Sequence, residues 1–407
     1  MDWRSSLSSL TRYESIERIK SALLAADPSA TSAQKDAFAL ENDAFKSSKS
    51  LVSAVTKPMP IVGAPPVPAN IKREGQHEYD ATCQVKPERA SEFLTASRES
   101  EEETVATETP GITVGKYQNC HFVASGVTAE VYRAGRQALK IITETRNIEP
   151  HNPHREAKIL ASLRKPCIPL LETFRDQEQR FVLVFPYMPL SLEALLARGN
   201  ISLGQTKKHF RDLFSALEQL HDSGIIHRDV KPSALLLASP NGPAYLSDFG
   251  TAWHPELSAT SEPPTDKVLD IGTGPYRAPE VLFGDKCYGS AVDMWGAGTM
   301  LAECCRDPPL PLFESRPVHE DGNQLGLILS IFKTMGTPTR KTWPEAANFR
   351  TPPFEMYRAF DPRPWEDILP DVDPDMRNLI SNLVRYDSTR ASAREALQHL
   401  ANFQKEE

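Results

Sequence analysis

The sequence predicts an α+β fold in two lobes, a smaller β-rich lobe followed by a larger helical one. From about Val114 the chain runs through short β-like stretches, "HFVAS", "AEVYRA", "QALKII" and "FVLVFPYM", and then turns to helical periodicity, as in "KKHFRDLFSALEQLHDSG". Strands first and helices after argue for segregated β and α layers rather than alternating ones. The chain has 407 residues, 40% of them hydrophobic, which is enough apolar material for one large core or two modest ones.

Residues 1–113 differ in texture: they are rich in Ser, Ala, Glu and Pro and end in the acidic run "ESEEETVATETPG". Such a composition buries too little apolar surface to offset chain entropy, so this extension is read as largely linker or disordered. Two helices are expected within it. Thr11 and Glu14 have capping-box spacing, and Ile16, Ile19 and Leu23 follow at helical intervals until Asp27-Pro28 stops the pattern, giving a helix near 11–27. A second spans about 31–55, and the prolines of "KPMPIVGAPPVPAN" then enforce an extended segment. Residues 114–404 are assigned to the folded domain, with a small lobe over 114–187 and a large lobe over 188–404.

The formal charge of −8 arises from 54 acidic and 46 basic residues with no long basic run, so no nucleic-acid partner is expected. No stretch approaches the ~20 apolar residues needed to span a bilayer, so no membrane partner is expected either. The six cysteines are scattered without CxxC spacing, which argues against a zinc site or a disulfide framework and for a reducing compartment, cytoplasm or nucleus.

The chemistry lies in a set of charged residues. Lys140 ends the strand-like "QALK", and Glu156 lies in the helix-like "HREAKILASL". Taken singly, each reads as a solvated surface charge. "HRD" at 227–229, followed by Lys231 and then "DFG" at 248–250, changes the weighting, because Lys140, Glu156, Asp229 and Asp248 stand in the order of the protein-kinase signature. "GTGPYRAPE" (272–280), "DMWGAG" (293–298) and Arg390 in "YDSTRAS" extend the match. The chain therefore resembles eukaryotic Ser/Thr protein kinases over roughly residues 117–403. The fold this implies is the bilobal protein kinase fold.

The resemblance implies specific roles, with ATP and Mg2+ as cofactors. Phosphoryl transfer needs positioning and charge neutralisation more than covalent chemistry. Lys140 would hold the α and β phosphates, Glu156 would orient Lys140, and Asp248 would bind magnesium. Asp229 would orient the acceptor hydroxyl and take its proton, with Lys231 near the transferred phosphate and Thr273 beside them. Lysine two positions after the aspartate is the Ser/Thr pattern. Gly126, Val131, Ala138, Met188 and Leu236 would surround the nucleotide, Phe185 being the gatekeeper. Leu160, Leu171, His227 and Phe249 would stack as the regulatory spine. Glu280 with Arg390, and Asp293 behind the HRD loop, read as structural. Within the kinases the resemblance is to the cyclin-dependent-kinase-like (CMGC) group, on "YRAPE" with Arg277 and on "PLF…ILSIFKTMGTPTRKTWPE". "SEPPTDKVLDIGTGPYRAPEVLFG" is similar to fungal single-subunit kinases that activate cyclin-dependent kinases.

Four departures bear on function. In "VASGVTAEVYRA" only Gly126 remains of the glycine-rich loop, with Ala124 and Ala129 at its other glycine positions, so weaker ATP affinity is expected. Ala234 stands where the catalytic-loop asparagine would ligate a second magnesium. The expected deficit is ~3 kcal/mol, roughly a hundredfold in rate. A catalytically weak pseudokinase scaffold, binding ATP or protein partners, is thus the alternative to an active kinase. At the phosphothreonine position of the activation segment stands Val268; Arg155 and Arg228 match two of the three arginines that would grip the phosphate, and Trp253 replaces the third. The segment is therefore expected to be ordered without phosphorylation, with Glu262 or Asp266 supplying the negative charge and Thr265 unmodified. Pro150 and Pro153 delay the helix that a cyclin would grip, so a cyclin-independent monomer acting on a protein substrate, a cyclin-dependent kinase by resemblance, is expected.

Overall fold

The computed structural model describes residues 110–143, 149–199, 201–315, 324–354 and 359–402. All of them lie in one of the chain's two compact units, Asp80–Arg316 with Gln324–Glu407. The helices expected near 11–27 and 31–55, and most of the acidic run after them, lie outside the described residues.

The β-like stretches form one antiparallel sheet. Its strands are β1 (Ile112–Val114), β2 (Tyr117–Ser125), β3 (Ala129–Ala134), β4 (Gln137–Ile142), β5 (Glu172–Arg175) and β6 (Phe181–Pro186), in the order β1-β2-β3-β4-β6-β5. Register assigns the faces, since cross-strand partners share one. Val131 pairs with Lys140, Lys140 with Leu183, and Ala138 with Phe185. Leu139, Ile141, Val182 and Val184 fall on the opposite face and build a separate small core with Val114, Cys120 and Ala134. The Lys140 face turns instead toward the large core shared with the helices, which Leu183 joins. Alternation along β4 thus puts one lysine among apolar residues at the junction of the lobes.

Helix α1 (Pro153–Ser162) follows β4. The Asn152 side chain accepts from the Arg155 backbone N–H, and Pro153 occupies the first turn, where its missing N–H costs nothing. After β6 come β7 (Leu190–Ser191), α2 (Leu192–Leu196) and α3 (Leu203–Asp222). Ser202 and Gln205 close a capping box at the start of α3, and Phe210, Leu213, Phe214, Leu217 and Leu220 form its buried stripe. The short strands β8 (Leu235–Leu237) and β9 (Ala244–Leu246) pair with β7 in a second sheet of order β7-β8-β9. Next come α4 (Pro279–Leu282), α5 (Ala291–Cys305), α6 (Leu325–Met335), α7 (Trp365–Ile368), α8 (Pro374–Leu383) and α9 (Ala393–Asn402). α5 is apolar nearly all round and buried almost throughout, with α3 and α8 packed on it; α9 covers α3.

This packing positions the loop that carries "HRD". A Cβ on Gly296 of α5 would lie 2.7 Å from the Val230 carbonyl oxygen. Gly296→Ala is therefore expected to displace that loop and destabilise the fold by about 1–3 kcal/mol, read as a lower thermal midpoint. Gly289→Ala, whose Cβ would meet nothing within 4 Å, is the near-neutral control.

Candidate active site

Two clusters face the cleft. In the first, the Lys140 Nζ donates to both Glu156 oxygens (2.8 and 3.0 Å) and to Asp248 Oδ1 at 3.0 Å. Glu156 comes from the first turn of α1, and its side chain is 1% exposed, whereas that of Asp248 is 51% exposed. Burial opposes the charge on Lys140, but Glu156 and Asp248 outweigh it and hold the ammonium above its ordinary pKa. The same ammonium beside Asp248 keeps that carboxyl well below the usual carboxylate range. Glu156 is pushed up by burial, with Lys140 offsetting part of the effect. Asp248 itself sits in the left-handed region at φ 62° and ψ 63°, an uncommon conformation for a side-chain-bearing residue. His151, just ahead of α1, lies within electrostatic range of Asp248 and Lys140, and burial lowers its imidazole pKa.

The second cluster is a closed triangle. Lys231 Nζ donates to Asp229 Oδ2 at 2.6 Å and to Thr273 Oγ1 at 3.0 Å, and the Thr273 hydroxyl donates to Asp229 Oδ1 at 2.7 Å. Behind it, the buried Asp293 accepts from the backbone N–H of His227 (2.9 Å) and Arg228 (2.8 Å) and pairs with His221 Nε2 at 2.9 Å. These bonds fix the loop's backbone from below. The His227 ring packs edge-on against Phe249 at 4.9 Å between centroids. Leu160 and Phe249 lie in the large core, while Leu171 packs on the smaller core of the sheet.

Val131, Ala138, Met188 and Leu236 are half-buried, as is Phe185, and Phe185, Met188 and Leu236 pack against the large core. Val131, Ala138 and Phe185 share the sheet face of Lys140 by register. Gly126 is exposed, and its N–H donates to the Ala129 carbonyl at 2.8 Å. A Cβ there would touch only that oxygen, at 3.6 Å, so the backbone does not itself demand glycine. Ala234 is 1% exposed. Its carbonyl accepts from both the N–H and the hydroxyl of Ser247, each at 2.8 Å. Asn241 lies in the β8–β9 turn and bonds Gln205, on the far side of β8 from the cleft residues by sequence, so it does not substitute for an amide at 234.

The donor set suits a hard cation in part. Asp248 offers a half-exposed carboxylate of which Lys140 takes one oxygen, and magnesium commonly needs only one or two protein carboxylates beside substrate phosphates and water. Position 234 supplies no second donor. Among the described residues there is no group of three or more metal-ligating side chains.

The activation segment is held by two carboxylate–guanidinium pairs. Arg228 Nη1 donates to Glu262 at 3.1 and 2.6 Å, with the two side chains 0% and 1% exposed. Tyr288 joins them, its hydroxyl accepting from Arg228 and donating to the Val268 carbonyl at 2.7 Å. Of the two carboxylates expected to serve the arginines, Asp266 is therefore not used: it pairs with Lys286 on the surface at 2.6 Å. Nor does Glu262 serve both, because Arg155 binds Glu149 at 2.8 Å, and Glu149 also accepts from the Ser261 hydroxyl at 2.7 Å. Trp253 donates its indole N–H to the Glu262 carbonyl at 2.9 Å and covers the Lys267 ammonium at 4.9 Å. Thr265 is exposed. Arg277 donates to the Gly272 carbonyl at 3.2 and 2.8 Å. Farther away, Arg390 and Glu280 form a bidentate buried pair at 2.7 and 3.2 Å.

Sequence reasoning did not reach Glu149, Tyr288, Lys267 or Ser247. For Ser247 a signal existed, a hydroxyl adjoining "DFG"; for the others the contacts depend on the path of the segment.

A family model described as the protein kinase domain matches residues 117–400. The chain is 38% identical over 254 residues to "Serine/threonine-protein kinase csk1" of Schizosaccharomyces pombe, an alignment covering 60% of this chain and 78% of that one. It is 31% identical over 296 residues to "Cyclin-dependent kinase 7" of Carassius auratus, covering 69% and 81%. Among solved structures it is similar to a chain of the CAK complex from Chaetomium thermophilum bound to ATP-γ-S, with a TM-score of 0.58, 28% identity, and 69% and 88% of the two chains covered.

Proposed function

The chain belongs to the protein kinase family, as a cyclin-dependent-kinase-like Ser/Thr kinase, and on that premise we propose that it is catalytically active despite Ala234 and phosphorylates the activation segment of a cyclin-dependent kinase. The observation that carries activity is the pairing of two assembled clusters, Lys140–Glu156–Asp248 and Asp229–Lys231–Thr273. An ammonium has three donors, and those of Lys140 are already taken up by Glu156 and Asp248. To hold the α and β phosphates, Lys140 releases Asp248 Oδ1 and keeps Glu156, which frees the Asp248 carboxylate for magnesium. When bound there, magnesium supplies charge neutralisation at the phosphates.

On the acceptor side, Asp229 orients the substrate hydroxyl and takes its proton, displacing the Thr273 hydroxyl from Oδ1. The acceptor oxygen bonds to the γ-phosphorus as the bond to the bridging oxygen breaks, and ADP leaves with that electron pair. Lys231, already against Asp229, stabilises the transferred group. Because Arg277 occupies the Gly272 carbonyl, that oxygen does not accept a substrate N–H, which favours proline after the acceptor residue, while Pro275 in the adjoining turn reshapes the pocket. Glu262 stands in for an activation-segment phosphate, so no modification of Thr265 is needed. α1 starts only at Pro153, which supports a monomer working without cyclin. Light scattering of the purified chain tests this last point, a single-chain mass being expected and a stable complex with a cyclin contradicting it.

The specific observation favouring a weak scaffold instead is Ala234. Ala234→Asn is expected to raise kcat by up to about a hundredfold, corresponding to ~3 kcal/mol of restored stabilisation. No gain over a background signal would favour the scaffold. The substrate is tested by comparing an unphosphorylated cyclin-dependent kinase with a generic basic protein acceptor; equal rates on both would contradict the activating role.

A further inference from the structure

Asp248 presents its carboxylate from a left-handed backbone conformation, at the end of β9 and ahead of a single helical turn, Phe249–Thr251. Such a conformation persists only where neighbours over-determine it. On one side the restraint is Lys140. On the other it is Ser247, which is 8% exposed and spends every polar group on the catalytic loop. Its N–H and its hydroxyl both donate to the Ala234 carbonyl at 2.8 Å, filling both lone pairs of that oxygen, and its own carbonyl accepts from His227 Nε2 at 2.9 Å. The Ala234 N–H in turn donates to the Lys231 carbonyl at 3.0 Å. The residue that lacks an amide side chain is thus tied through its backbone to the residue directly before Asp248.

We propose that Ser247 is a positioning residue whose hydroxyl locks the Asp248 carboxylate to the catalytic loop, in place of the side-chain link that Ala234 does not provide. This deepens the kinase reading and rests on it for its kinetic consequence. The backbone bonds, from its N–H to Ala234 and to its carbonyl from His227, hold the Ser247 main chain at one point on each side, and the bond from the hydroxyl adds a second tie to the Ala234 carbonyl that resists rotation about them. Losing it lets Asp248 relax toward Lys140, to which it is already bonded, and away from the metal position. The effect falls on magnesium-dependent steps and spares metal-free nucleotide contacts.

The test compares the full chain with Ser247→Ala and Ser247→Thr. Calorimetry measures ATP affinity with magnesium and in EDTA, and steady-state transfer gives kcat and KM. For Ser247→Ala the expected result is a magnesium-dependent ATP affinity and a kcat each about tenfold lower, the size of one hydrogen bond, with affinity in EDTA unchanged. Ser247→Thr, which keeps the hydroxyl, restores both. A fall in thermal midpoint with magnesium-dependent affinity and kcat unchanged would overturn the proposal, as would equal losses with and without magnesium. If the native chain transfers no phosphate, the kinase reading fails, while the affinity comparison still decides the role of Ser247. Should Ser247→Ala not fold, Ser247→Cys, nearly isosteric with a weaker donor, is judged by the same two affinities.

Discussion

Glu262→Ala is expected to cut transfer by a hundredfold or more and to loosen the activation segment. The carboxylate it removes is the one bonded to Arg228, and both side chains are buried. Breaking a buried pair by deleting one partner leaves an uncompensated charge and costs about 3–5 kcal/mol. Arg228 adjoins Asp229 in the catalytic loop, so the strain appears at the site rather than at a remote surface. Trp253 keeps its partner, since its indole N–H bonds the backbone carbonyl of residue 262, but that carbonyl is no longer fixed by the side-chain pair with Arg228. Limited proteolysis between Trp253 and Val268 should become faster together with the loss of activity. Thr265→Ala should be silent, because Thr265 is exposed and Glu262 already holds the arginine. Phosphate on Thr265 combined with an inactive Thr265→Ala variant would contradict this scheme.

Lys140→Met is the second large effect, with transfer again lower by about a hundredfold, as expected when a charged group that holds the reacting phosphates is removed. The substitution leaves the buried Glu156 facing Asp248 with no cation between them. Its stability cost should depend on pH, with a sign that follows from the carboxyls. In the native chain Lys140 depresses the Asp248 pKa, so that group's stabilising contribution is full above its unfolded value of about 3.9 and is lost as pH falls through the lower folded value. Glu156, already raised by burial, rises further without Lys140, which penalises the variant only above the unfolded value of about 4.3. The stability gap between native chain and variant should therefore be widest at neutral pH, begin to narrow as pH falls through the unfolded carboxyl values near about 4, and close only well below them, where Asp248 is protonated in the native chain too. Denaturant unfolding at the two pH values measures it; a gap independent of pH would mean that packing, not charge, dominates.

Much of the architecture is legible in the sequence because its determinants are local. Alternation in "AEVYRA" and "QALKII" marks both as strands, the observed pairing then bringing Lys140 and Val131 to one face, and the proline at 153 is enough to set where α1 begins. The short motifs "HRD" and "DFG" carry their own backbone geometry, so their side chains meet once the two strands between them pair. Contacts of the activation segment are a different matter. Glu262 and Asp266 are equivalent in sequence terms, both acids in a loop; what separates them is that the chain turns Glu262 inward, where Trp253 and Tyr288 enclose it, and leaves Asp266 beside Lys286 on the surface. Glu149 precedes a proline in a stretch without periodicity, so nothing local marks it as the partner of Arg155. Trp253 reads in the sequence only as a missing arginine, whereas in the fold its ring and N–H hold the segment that an arginine would have reached through a phosphate.

The central claim is that the site transfers phosphate although position 234 carries no amide. The most direct measurement is incorporation of label from γ-labelled ATP into a protein acceptor under magnesium, comparing the native chain with Asp248→Asn. Incorporation by the native chain that vanishes in the variant is the predicted result. Equal, background-level incorporation by both would contradict it and leave the two assembled clusters as parts of a binding scaffold.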